Sequence, residues 1–430
     1  MRVLIYGLNY APEPVGIGKY SGELVEWLAA QGHQVRVITA PPYFPQWEAR
    51  GNCYRRERLQ GVDVQRCPLW VPSKPSGIKR LLHLASFALS SLPVLLSQWS
   101  WRPEVVITVA PAFFCAPGAL LLGKLCGKGS RSWLHIQDFE LDAAFELGLL
   151  KGRWLRELAE GWERSTLRSF DRVSTISRAM VQRAVAKGVA PERAGLLPNW
   201  VDLTAIQPQE PNQRANNPYR EELGIAENTV VLLYSGSMNT KQGLGLLVEV
   251  IKLLQDLPNL LWLLAGEGPS KGELAAATAG MANVRLLPLQ PVDRMNDWLN
   301  LTDVHLLPQK TGAADLVLPS KLLGILASGR PVAASSPAGS ELGQLAEQAG
   351  LRVEPENAGS FAAAVRQLVE NPELRQGLGD RARQLAEERY GKEAVLGELE
   401  AQLMLGRRAH ALILANPAVE SRNARRIELD

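Results

Sequence analysis

Short continuous runs of Val, Ile and Leu alternate with longer amphipathic stretches along most of the chain, and this rhythm leaves few folds open. Arg2–Tyr6, Gln34–Thr39, Val105–Val109, Ser132–His135 and Val173–Ile176 are short and largely apolar. Strands apolar on both faces belong to parallel sheets covered by helices on either side. Between the first two runs, Gly18–Ala30 carries Tyr20, Leu24, Trp27 and Leu28 as one stripe, and Gly32 follows as a stop. That pattern predicts a helix. The rhythm repeats at Val230–Tyr234, Leu260–Leu264, Val284–Leu287, Val304–Leu307 and Val332–Ala334. After Gly243, the residues Leu244, Leu247, Val248, Ile251 and Leu254 share one helical face.

The two halves are separated by Gln207–Pro218, a polar stretch rich in Pro and Asn. A chain of 430 residues also exceeds one ordinary core. The expected fold class is therefore α/β, with two Rossmann-like parallel-sheet domains facing across a cleft. Residues 1–203 form the first domain, 204–385 the second, 386–414 are C-terminal helices able to cross back to the first domain, and 415–430 form a flexible tail. In open parallel sheets ligands sit beyond the carboxyl ends of the strands.

Several function classes are disfavoured. The 47 basic and 44 acidic residues nearly balance at +3, so no nucleic-acid partner is expected. Cys53, Cys67, Cys115 and Cys126 form no C-x-x-C pair and read as reduced thiols of a cytoplasmic protein. The five histidines lack ligand spacing, so no metal site is expected. The N-terminus runs straight into a strand and does not read as a signal peptide. The apolar run Leu81–Trp101 is divided by Pro93, and Leu81–Leu92 alone is shorter than the roughly 20 residues of a membrane-spanning helix.

The loops after the strands carry the chemistry. Gly16 and Gly18 precede the first helix, where glycine allows close backbone approach and a helix N-terminus favours an anion; an ordinary loop-to-helix turn has the same spacing. These glycines come too late for a dinucleotide fingerprint, and strand two ends in Thr39-Ala40-Pro41-Pro42 without an acid, which disfavours an NAD enzyme. Asp138, Glu140 and Asp142 follow an apolar strand, where a carboxylate can orient a hydroxyl; Asp138 could equally cap the next helix. No D-x-D triplet is present. Gly236 and Lys241 open the helix after Gly243 and suit a diphosphate, although a solvated turn lysine fits the spacing too. Lys241 precedes the second glycine, so this is no Walker loop. Gly266-Glu267-Gly268-Pro269 follows the next strand, and Asp315 leads to Pro319-Ser320-Lys321, with Ser320 the expected N-cap.

In that order, the loops of type G-x-G, H-x-x-D, S-T-I-S, L-P-N-x-V-D, S-G-x-x-x-x-K-Q-G-L, G-E-G-P and L-P-S-K-L-x-x-x-L-A-S-G-R-P-V resemble family-4 glycosyltransferases over about residues 1–405. The nearest likeness is to the colanic acid fucosyltransferase type and relatives that transfer acetamido sugars. The resemblance implies a GT-B fold, an acceptor at the first domain, a donor at the second, retention of anomeric configuration and no essential metal. It places Gly16 and Gly18 near the donor diphosphate or reacting sugar, and Asp138 beside that sugar. Lys241 would neutralise the leaving diphosphate, with Gly236 in the same loop. Gly266, Glu267, Leu289 and Gln290 would lie near the nucleoside. The family's two glutamates are replaced by Leu316 and Gly324, leaving Asp315 as the nearby acid and Ser320 and Lys321 as substitutes for nucleotide binding. Its usual arginine is Ser237 here, which makes Lys241 the strong cation and Lys321 its partner.

The implied function is transfer of fucose or an N-acetylated sugar from a GDP- or UDP-sugar to an envelope polysaccharide or lipid-linked oligosaccharide precursor. The donor is a substrate, and no cofactor is needed. A non-catalytic sugar-nucleotide-binding homologue and a GT-B-fold sugar-nucleotide epimerase are the alternatives. Lys74, Lys79 and Arg80 beside the apolar run, with Trp99 and Trp101, and Arg153, Trp154, Arg156, Trp162, Arg164, Arg168 and Arg172, read either as an anionic-membrane surface or as a buried helix with a solvated basic face.

Overall fold

The computed structural model describes residues 1–13, 16–43, 47–49, 51–73, 77–111, 113–127, 129–139, 153–210, 216–239, 242–310 and 319–415. The chain divides into two compact units. The first comprises Met1–Thr175, Val181–Leu197 and the chain from Glu393 onward; the second comprises Ile176–Met180 and Pro198–Lys392.

The first unit holds an eight-stranded sheet, in the order β3-β4-β2-β1-β5-β6-β7-β8. These are β1 (Arg2–Tyr6), β2 (Gln34–Thr39), β3 (Arg55–Leu59), β4 (Val62–Arg66), β5 (Val105–Ala110), β6 (Arg131–Ile136), β7 (Arg172–Thr175) and β8 (Ala194–Leu196). All neighbours pair in parallel except β3 with β4. The helix α1 (Ile17–Ala30) packs Tyr20, Leu24 and Leu28 inward, as the stripe predicts.

The β3–β4 hairpin was not expected, because Arg-Arg-Glu-Arg-Leu lacks the apolar signature of a two-sided buried strand. At the sheet edge its side chains stay largely exposed, and Arg56 makes a bidentate pair with Asp63 across the ladder at 2.8 and 2.6 Å. Gln60 and Gly61, both at positive φ, make the turn.

Pro93 also behaves differently from expectation. The helix α2 (Gly77–Ser97) runs continuously through it. Leu84 and Phe87 before the proline and Leu95 after it are all buried, so packing on both sides holds the helix axis. By length and composition, Ile78–Ser100 could cross a membrane, although 33% of that stretch's most apolar window is buried in the protein.

The second unit holds a six-stranded, all-parallel sheet in the order β11-β10-β9-β12-β13-β14. Its strands are β9 (Val230–Ser235), β10 (Leu260–Ala265), β11 (Val284–Leu287), β12 (Val304–Leu307), β13 (Val332–Ser335) and β14 (Gly350–Val353). β9 and β10 are buried along almost their whole length, which is why they read as unbroken apolar runs. Leu244, Leu247, Val248, Ile251 and Leu254 pack together against Tyr234 and Trp262.

The C-terminal helix Lys392–Ala415 enters the first unit through polar contacts. Arg131 donates to the Leu403 carbonyl at 2.7 Å, Arg172 to Gln402 at 2.9 Å, and His33 meets Glu400 at 3.3 Å. The segment 207–210 is held in the second unit. Gln209 N–H donates to Asn300 Oδ1 at 2.9 Å and its side-chain amide to Asp297 Oδ1 at 3.1 Å, and Arg330 donates to the Gln209 carbonyl at 2.7 Å.

Leu247, fully buried in the second core, sets the expected outcome of a packing test: Leu247→Ala should lower the stability of the second unit by about 2–5 kcal/mol in denaturant titration.

Candidate functional site

In the second unit, the loops after β9 and β10 are laced together by backbone. Gly236 N–H donates to the Ala265 carbonyl, Met238 N–H to Glu267, and Ser270 N–H to Met238, at 2.8–2.9 Å. The glycines exist for this packing. A Cβ on Gly266 would lie 1.9 Å from the Gly236 carbonyl oxygen, and one on Gly268 would lie 2.5 Å from that of Met238. Gly236 and Gly268 also adopt positive φ, at 139° and 149°.

Lys321 extends from the start of the helix Lys321–Ala327 over this loop pair. Its Nζ stands 4.1 Å from the Tyr234 ring centroid and donates to Gln242 Oε1 at 3.1 Å. Its aliphatic end passes so close to Gly236 that a Cβ there would be 3.4 Å from Lys321 Cδ and Nζ. Among the described residues no carboxylate pairs with it, and burial pushes its ammonium down to about 7. A half-buried cation with an aromatic face, one amide and no counter-ion among the described residues is a ready partner for an anion. Tyr234 is fixed in turn by its hydroxyl, which donates to the Ser237 carbonyl at 2.5 Å.

The remaining expected residues of this unit fall in different places. Glu267 is exposed and pairs with Lys271 at 2.6 Å. Leu289 is exposed, whereas Gln290 is anchored, accepting from the Tyr219 hydroxyl at 3.0 Å and donating to the Pro288 carbonyl at 2.9 Å. Ser320 stands at the cap position, but with helical dihedrals and no capping hydrogen bond from its side chain; its backbone is already part of the turn, so the hydroxyl cannot reach the free N–H groups. Lys241 and Asp315 lie outside the described residues. At Gly324 a Cβ would meet Leu299 Cδ1 at 3.1 Å, so this position is turned toward the core. Beside the loops is a cavity of about 440 Å³ lined by Asn239, Gly243, Ser270, Gln309, Lys310 and Glu356, among others. Gln309 Oε1, buried in its wall, has no hydrogen-bond partner.

In the first unit, the two glycines of the G-x-G loop divide the work. Gly16, with φ +64, caps α1 and lines a cavity of about 220 Å³. Gly18 faces away from it: a Cβ there would sit 2.5 Å from Glu13 Cβ and 2.6 Å from Glu13 Oε2. The missing side chain makes room for a buried carboxylate. Glu13 accepts from Asn9 Nδ2 at 2.9 Å and from the Tyr43 N–H at 3.2 Å, which ties the loop after β1 to the loop after β2.

Asp138, after β6, lines the same cavity. His135 three residues earlier does not. It is fully buried, pushed down to about 4 by burial, and both ring nitrogens are satisfied. Gln137 Nε2 donates to its Nε2 at 3.0 Å, so Nδ1 carries the proton and donates to Ser174 Oγ at 2.9 Å. Glu140 and Asp142 lie outside the described residues. Sequence reasoning missed Tyr43, Trp47 and His83 in the cavity wall. The available signal was His83 itself, a histidine inside an otherwise apolar run. Among the described residues, no group of three His, Cys, Asp or Glu side chains could hold a metal ion.

Comparison with known proteins agrees with this architecture. Residues 15–200 match the glycosyl transferase 4-like domain, and residues 216–385 match glycosyl transferases group 1. The chain is 46% identical over 407 residues to the putative colanic acid biosynthesis glycosyl transferase WcaI of Escherichia coli K12, covering 92% of this chain and 98% of that protein. Among solved structures, sucrose-phosphate synthase from Thermosynechococcus elongatus aligns with a TM-score of 0.71 at 16% identity, over 94% of this chain and 99% of that one. HepE from Anabaena, in complex with UDP and glucose, aligns with a TM-score of 0.67 at 12% identity, over 94% and 99%. These likenesses show the fold, which is GT-B.

The loop packing makes a direct test. Gly266→Ala should destabilise the second unit by about 1–3 kcal/mol in denaturant titration, because the obstacle is backbone rather than a movable side chain.

Proposed function

The chain belongs to the family-4, group 1 glycosyltransferases, and from that premise we propose that it is a retaining, metal-independent enzyme that moves a sugar from a GDP- or UDP-sugar to an envelope polysaccharide or lipid-linked oligosaccharide precursor. The observation that carries this reading is Lys321: a half-buried lysine without a described carboxylate partner, set over a glycine loop at the strand ends of the second unit. WcaI is named for colanic acid biosynthesis, and HepE binds UDP and glucose, which supports a nucleoside-diphosphate donor and a glycan acceptor.

The chemistry follows from where charge develops. As the bond between the sugar's anomeric carbon and the diphosphate breaks, an oxygen of the leaving diphosphate takes the proton of the acceptor hydroxyl. The acceptor oxygen forms its bond on the same face, so configuration is retained. The negative charge left on the diphosphate is the main electrostatic demand, and Lys321 together with Lys241 meets it without a metal. In this reading Lys321 stands in for the arginine that Ser237 replaces. Gly16 and Gly18, Gly236, Gly266, Glu267, Leu289, Gln290, Asp315 and Ser320 complete the donor surroundings, and Asp138 faces the reacting sugar.

The enzyme works at the cytoplasmic face of a membrane in this reading. Ile78, Leu82, Leu89 and Trp99 on and after α2, and Trp154 and Leu158 on the helix Arg153–Ser169, are exposed apolar side chains. Arg156 and Arg164 of the second helix supply positive charge for anionic lipid. Failure to sediment with anionic liposomes at low salt would remove this element.

A thermal-shift panel in EDTA with GDP-fucose, UDP-N-acetyl sugars and ADP-sugars tests the donor. Stabilisation by one class names the base, and the anomeric NMR signal of the product reads retention. Conversion of the free donor without acceptor would instead mark an epimerase, and binding without turnover a non-catalytic homologue.

Lys241→Ala should lower turnover by about 10²-fold or more; a loss of tenfold or less would take Lys241 out of the mechanism. The pH dependence of binding tests Lys321. Its folded value is about 7 against 10.5 for an unperturbed lysine, so the unfolded chain holds the proton more tightly, and the cost to stability grows as pH falls from 10.5 to about 7. A bound diphosphate favours the protonated form and reverses that preference. Calorimetric affinity for UDP or GDP should therefore rise about tenfold per unit as pH falls from 9 toward 7, then level off. In Lys321→Met the slope should vanish. A flat profile in the unmodified protein would sink the assignment.

A further inference from the structure

Arg66, the last residue of β4, is 4% exposed and directs its guanidinium to three separate segments of the first unit. Nη1 donates to the Ala40 carbonyl at 2.9 Å, Nη2 to the Ala11 carbonyl at 2.7 Å, and Nε to Glu57 Oε1 at 2.5 Å. Ala40 opens the loop after β2, Ala11 lies in the loop after β1, and Glu57 is the middle residue of β3. Arg55 also pairs with Glu57. Burial opposes ionisation of the Glu57 carboxyl, and the two arginines outweigh it, which holds the group below the usual carboxylate range.

Both carbonyls belong to loops that build the 220 Å³ cavity. Asn9 and Gly16 stand on either side of Ala11 in the chain, Tyr43 follows Ala40, and all three line that cavity. Arg66 does not. It lines a different cavity, of about 460 Å³, together with Ala11, Pro12, Pro41, Pro42 and Glu57. It therefore grips the two loops from outside the space that they enclose. Glu13 ties the same loops at a second point, through Asn9 Nδ2 and the Tyr43 N–H.

For stability alone this arrangement is a poor choice. A buried ion pair gives up hydration on both partners, and apolar residues of similar volume commonly stabilise a core as well or better. The guanidinium adds direction, because its planar fork fixes its acceptors at set angles. The β3–β4 hairpin fits that role. An edge strand with little apolar surface contributes the carboxylate that neutralises and orients Arg66.

We propose that Arg66, oriented by Glu57, is a positioning residue for sugar transfer: it sets the loops after β1 and β2, and through them Asn9, Gly16 and Tyr43, in the arrangement that the reaction needs. The proposal rests on the glycosyl-transfer reading above. Both side chains act through backbone, and a displacement of about 1 Å around a reacting centre can cost on the order of 10²-fold in rate.

The test uses the full-length protein carrying 3-fluorotyrosine, as Arg66→Met, Glu57→Gln and the double variant. Tyr43→Phe and Tyr234→Phe assign two of the eight ¹⁹F signals. Arg66→Met should move or broaden the Tyr43 signal and leave that of Tyr234, in the second unit, in place. Turnover is read as nucleoside diphosphate released from GDP-fucose or UDP-N-acetylglucosamine, to water or to millimolar methyl glycosides. It is expressed per site competent in calorimetric GDP or UDP binding. Arg66→Met should lower it by about 10- to 100-fold while nucleotide affinity holds. Glu57→Gln should lower it less, and the double variant no further than Arg66→Met alone, because the two residues act as one unit. If Arg66→Met fails to fold, Arg66→Lys serves, since it keeps the charge and loses the planar fork. An unmoved Tyr43 signal would overturn the proposal. So would a moved signal with turnover unchanged, additive losses in the double variant, or a loss fully accounted for by missing nucleotide sites, which leaves the pair a folding role. No turnover by the unmodified protein would remove the transferase reading and the proposal together, whereas normal turnover in Arg66→Met rejects the proposal alone.

Discussion

Burial of both faces of a parallel sheet is the constraint on which the rest of this protein depends. β1, β5, β9 and β10 have helices on either side and carry almost no polar side chain into the core. Polar chemistry is therefore displaced to the loops beyond the strand ends, where backbone N–H and C=O groups leave the ladder. The cavities of 220 and 440 Å³ are both lined in part by such loops and in part by the helices beside them.

The two units solve the crowding at those ends differently. In the second, Gly236, Gly266 and Gly268 let two loops pack backbone on backbone, which leaves a smooth floor under the Lys321 side chain. In the first, Gly18 leaves room for Glu13, and that buried carboxylate ties Asn9 to the backbone of Tyr43. The same residue type thus serves loop packing in one unit and a polar clasp in the other. Histidine shows a similar division. His135 is satisfied at both nitrogens and orders the β6–β7 region, while His83 has one nitrogen committed to Trp70 and the other bare beside a cavity.

Lys321 shows how charge and burial can be balanced with no ion pair among the described residues. The Tyr234 ring and the Gln242 amide offset part of the cost of burying the ammonium, and the remaining cost appears as the lowered affinity for its proton. An arginine, which keeps its charge under almost any burial, would not respond to pH in this way.

The sequence by itself determined the parallel α/β class and the positions of the buried strands and helices. Hydrophobic periodicity reports burial directly: Val230–Tyr234 and Leu260–Leu264 could only be two-sided strands, and the stripe from Leu244 to Leu254 only a packed helix. The order of its loop motifs also determined the family. Tertiary structure decided what periodicity does not encode. The strand Arg55–Leu59 sits at an edge, where polar residues are tolerated, so it had no apolar signature to read. Pro93 is carried inside a helix because Phe87 and Leu95 are packed on either side of it. Tyr43, Trp47, His83 and Asp138, up to 95 positions apart in the chain, line one cavity because the loops after β2 and β6 and the helix α2 meet at the carboxyl ends of the strands of one sheet. Proximity of that kind depends on strand order, β4-β2-β1-β5-β6, and strand order is set by packing between elements rather than by any local pattern of residues.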